Sequence, residues 1–73
     1  MTKALEEIVF IVEESPEGGY VARALGVSIF TQAEDLKSLR TEVIDAVRCH
    51  FHDHPQPPKI IRLHMVKDEV LAV

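Results

Sequence analysis

The chain has 73 residues, a mass of 8.2 kDa and a formal net charge of −4, with 47% hydrophobic and 27% charged residues. That length holds one domain and leaves no room for a multi-domain enzyme with its own cofactor cleft, while the composition is that of a folded chain. A single cysteine excludes an internal disulfide, and the lack of a basic tail or stripe excludes electrostatically driven nucleic-acid binding.

Size also limits stability. Apolar burial for a chain of this mass supplies on the order of 110 kcal/mol, and ordering the chain costs about the same. A lone monomer is therefore marginal, so a subunit interface or a metal is expected to add what is missing.

Residues 5–14, LEEIVFIVEE, are β-branched, aromatic and capped by acids. Ile8, Phe10 and Val12 alternate with Val9 and Ile11, so both faces are apolar, as in a central strand. Adjacent acids such as Glu6-Glu7 and Glu13-Glu14 point to opposite faces; they bracket the strand and do not form an acid/base pair. Ser15-Pro16-Glu17-Gly18-Gly19 is a hairpin signal: proline pre-sets one turn position and the glycines take φ > 0. Tyr20–Leu25 is the returning strand, Gly26 breaks it, and Val27–Thr31 is a third strand.

The period then changes. Leu36, Leu39, Val43, Ala46, Val47 and His50 fall in one arc at 100° per residue, flanked by Ile44 and Phe51. Lys37, Ser38, Glu42, Asp45 and Cys49 lie off that arc or at its edge. This predicts a helix over residues 35–52, N-capped by Asp35 and stopped by the proline-rich stretch 55–58. Residues 59–66, KIIRLHMV, form a fourth strand, with Ile61, Leu63 and Met65 on its more apolar face and Arg62 and His64 on the other. Val70–Val73 is an apolar run, expected to be buried against a strand or a subunit. The order is thus β-β-β-α-β: an α+β fold in two layers, one antiparallel sheet with one helix on one face. The uncovered face is the reason to expect a homodimer or higher homo-oligomer built through the sheet.

The densest polar cluster is Cys49, His50, His52, Asp53 and His54. Thiolate and imidazole are common metal ligands, yet the spacing matches no closed metal signature, and a frayed, soluble helix end accounts for it. His50 lies inside the apolar arc and is expected to be half-buried. No nucleophile, acid or base is tied to another by spacing. The expectation is no catalytic residue, no metal ligand and no cofactor-binding residue. The alternative is a small metal- or ligand-responsive oligomer using Cys49 and the histidines, or a scaffold for another partner. The N-terminal MTKALEEIVF lacks signal-peptide features and no run reaches membrane-spanning length, so a cytoplasmic location with no membrane association is expected.

The segment Gly19-Tyr20-Val21-Ala22-Arg23-Ala24-Leu25-Gly26, with the strand and helix after it, resembles the HicB antitoxin family. Tyr20, Ala22, Gly26, Asp35, Leu36, Ala46 and Val47 fit that pattern, which covers roughly residues 6–54. Short single-domain bacterial proteins of the HicB-like fold are still more similar. They share a Cys-His-Phe at the helix end and an Ile-Arg-Leu-His strand, here Cys49–Phe51 and Ile61–His64. The resemblance implies a non-enzymatic module that docks on a small basic HicA-type toxin. HicB proteins typically also carry a C-terminal DNA-binding part. The 73 residues hold none, so no direct operator binding is expected.

Overall fold

The computed structural model describes residues 7–73. Its elements are β1 (Glu7–Glu14), β2 (Tyr20–Ala24), β3 (Phe30–Ala33), α1 (Leu36–His50) and β4 (Ile60–Met65). Residues 5 and 6 of the expected first strand lie outside the described residues.

The β1–β2 turn forms where proline and glycine demand it. The Gly18 N–H donates to the Ser15 carbonyl at 3.0 Å, the Ser15 N–H donates to the Gly19 carbonyl at 2.9 Å, and both glycines have positive φ. The second reversal is longer than the sequence reading allowed. The Ala24 N–H donates to the Ile29 carbonyl at 3.0 Å, residues 25–29 are the connection, and the third strand starts at Phe30, not Val27. A hairpin needs residues to turn with, and Gly26 alone cannot supply them. Half-buried Val27 packs against the core from that loop.

The three strands run up, down and up. Asp35 then caps α1, its carboxylate accepting the Ser38 N–H at 2.7 Å. Fifteen helical residues carry the chain about 22 Å back down across one face of the sheet. The next strand must again run up. β4 therefore pairs parallel to β1, with Ile8 opposite Ile61 and Phe10 opposite Leu63. This corrects the expectation of a wholly antiparallel sheet: the strand order is β3-β2-β1-β4 and the sheet is mixed. The helix is the crossover that a parallel return requires.

β1 is the central strand and sets both faces. Ile8, Phe10 and Val12 are buried under α1 against Leu39, Val43 and Val47, with Ala22, Ile29 and Phe51 completing the core. Leu36, Ile61 and Leu63 pack around them half-buried. No polar or charged side chain is buried among the described residues. His50 departs from expectation: it is exposed, because Phe51 closes the apolar arc in its place. Val70–Val73 is not buried against a strand of its own chain, since every residue of that run is exposed.

Candidate functional site

With no polar or charged residue buried among the described residues, the chemistry lies on the surface. Three places stand out, and the first is the sheet face turned away from α1. Cross-strand register puts His64, Ile11, Arg23 and Phe30 in one row across all four strands. Val9 lies beside Arg62 in the next row, and Ile60 beside Glu7 in the one after. The Arg62 Nε donates to a Glu7 carboxylate oxygen, and this hydrogen bond holds the Glu7 carboxyl below its ordinary pKa. Val9, Ile11 and Val21 are half-buried here, and Phe30 and Ile60 are 62% and 54% exposed. The face is thus an apolar patch set with charged groups of both signs, Arg23, Arg62, Glu7 and Glu13, and its apolar character is what the two-sided pattern of residues 8–12 foretold.

The second place is the free edge of β3. The Ala24–Ile29 bond makes Ala22–Thr31 and Tyr20–Ala33 the bonded pairs of the ladder, so the backbone N–H and C=O of Phe30 and Gln32 point outward. A shallow groove of about 600 Å³ runs between this edge and α1, lined by Phe30, Thr31, Gln32, Glu42, Asp45 and Ala46. Inside it the Thr31 Oγ1 is buried without a hydrogen-bond partner among the described residues. Sequence reasoning missed this groove. Glu42 and Asp45 were visible as off-arc helix positions, but a third strand placed too early hid which residues of β3 form the edge.

The third place is the end of α1. Cys49, His50, His52 and His54 are all exposed. His50 and His54 pack edge-on to the Phe51 ring at centroid distances of 4.8 and 5.5 Å. The His54 Nδ1 is engaged, accepting the Gln56 N–H at 3.0 Å. Among the described residues no three His, Cys, Asp or Glu side chains are placed to hold a metal ion. Beyond the Glu7–Arg62 pair, Asp35 is the other group with a displaced pKa, lowered by the Ser38 N–H it caps. Both displacements have a structural cause.

These features define a class: a small α+β protein of two layers, with its charged groups outside and one sheet face open. Two relatives place it more closely. A UPF0150 protein of Thermotoga maritima is 43% identical over 68 residues, covering 93% of this chain and 94% of the relative. A UPF0150 protein of Archaeoglobus fulgidus is 51% identical over 53 residues, covering 73% and 79%. The chain belongs to the UPF0150 family. No family model matches it, and no solved structure does. Among the described residues no helix is long and apolar enough to cross a membrane.

Proposed function

We propose that the protein is a non-enzymatic, cytoplasmic binding module that works as the toxin-docking domain of a HicB-type antitoxin does, and that it self-associates through its sheet. The observation that carries this reading is the β3–α1 groove. It joins free backbone donors and acceptors at Phe30 and Gln32 to an exposed aromatic ring and the carboxylates of Glu42 and Asp45. An extended, cationic segment of a small basic toxin adds to such an edge by main-chain hydrogen bonds, and the acids select its charge. The buried Thr31 hydroxyl gains a partner on docking. No DNA contact is part of this reading, because the chain is acidic.

The test is calorimetric titration with a small basic HicA-type protein. Binding is expected, and the pair Glu42→Lys and Asp45→Lys should weaken it at least about tenfold, or 1.4 kcal/mol. No binding at about 100 μM, or equal binding by the charge-reversed variant, contradicts the reading.

A further inference from the structure

The open sheet face and the C-terminal run pose one problem twice. The face carries Val9, Ile11, Phe30 and Ile60, and no element among the described residues is laid over them. Beyond β4 the chain leaves the sheet: Val66 is its last tether, donating its N–H to the Val12 carbonyl at 2.8 Å. After it come Lys67, Asp68 and Glu69, then Val70 and Leu71, which are 92% and 76% exposed. The run does not fold back over its own sheet, so a single copy leaves both apolar surfaces in water. Water penalises that arrangement in proportion to the area, at ~25 cal/mol per Å².

We propose that residues 68–71 of one copy lie across the open sheet face of a second copy, and that the exchange is reciprocal. This rests on the self-association reading above and names the segment that makes it. Charge decides the pairing. Each copy carries −4, so two copies repel unless the contact joins opposite signs. On this face Arg23 stands between Ile11 and Phe30, while Arg62 on β4 already pairs with Glu7 and Glu13 lies beside Val21. The run has Asp68-Glu69 directly before Val70-Leu71. The acids of the run meet Arg23 where valine and leucine meet the patch. The β3–α1 groove is the wrong sign for this segment, since Glu42 and Asp45 line it. Reach is sufficient: residues 67–73 extended span about 23 Å, whereas the four strands cover about 14 Å from first to last axis. Reciprocal exchange closes a two-fold pair and leaves no free end to propagate.

Sedimentation equilibrium on the full chain tests this, with Leu71→Asp, Arg23→Glu and the double variant Arg23→Glu with Glu69→Arg. Leu71 and Arg23 are exposed, so far-UV circular dichroism should show the fold intact in each. Each single variant is expected to raise the dimer Kd at least about tenfold, and the double variant to recover most of that loss. A Leu71→Asp chain that dimerises like the parent, while Val9→Lys dissociates it, overturns the tail exchange and leaves a sheet-to-sheet dimer standing. A full chain that stays monomeric at about 100 μM overturns both.

Discussion

Gly19 shows how one residue fixes the neighbouring strands. Its φ is +82°, and a Cβ there would sit 2.6 Å from the Ala33 carbonyl oxygen, a backbone atom that cannot step aside. Gly18 has φ +102° but faces open space. Gly19→Ala is therefore expected to cost about 3 kcal/mol, combining strained backbone with a clash, and Gly18→Ala about 1 kcal/mol. Urea denaturation of the two variants checks the order; equal costs would mean that the close approach of β3 is not real. The Glu7–Arg62 pair gives a pH signature. Because the folded-state pKa of Glu7 is lowered, its contribution is complete above the unfolded carboxylate pKa and is lost as pH falls through the folded value. Urea midpoints for the parent and Glu7→Gln should differ near neutrality and converge in acid. A gap that widens on acidification would contradict the pairing.

At the scale of elements, α1 is the test of the core. Leu39 is fully buried between the sheet and its neighbours Val43 and Val47. Leu39→Ala is expected to cost about 2–5 kcal/mol, and a loss below about 0.5 kcal/mol would show that this face is not core. Asp35→Ala should lower the thermal midpoint at neutral pH, and the difference should fade once acid protonates the capping carboxyl. The sequence was legible wherever a period or a stop signal was local. Residues 8–12 alternate, Asp35 caps, the proline stretch ends α1, and each of these stands in the fold. Direction and register were less legible because they depend on partners far along the chain. That β4 runs parallel to β1 follows from the helix returning the chain to the starting end, which no local pattern records. The start of β3 depends on which residue pairs with Ala24, and only the ladder decides that. Phe51 displaces His50 from the apolar arc because a ring has more surface to bury than an imidazole. The two surfaces proposed for binding were half legible: the open face from the two-sided first strand, the β3–α1 groove not at all.

At the scale of the whole molecule, the described residues form one helix laid on a four-stranded sheet that has two faces to cover. The helix covers the face of Ile8, Phe10 and Val12; the face of Val9 and Ile11 remains, and the apolar residues after β4 stand clear of it. Burial and chain ordering nearly cancel for a chain this small, so covering the second face decides whether it is stable in dilute solution. The same account assigns the two sides of the sheet to different partners: the open face to a second copy and the acidic β3 edge to a basic protein. The most direct measurement is sedimentation equilibrium of the unmodified chain at micromolar concentration. The account predicts a mass of at least twice the 8.2 kDa of the chain, falling to a single chain in Val9→Lys. A folded 8.2 kDa species in the unmodified protein would contradict it.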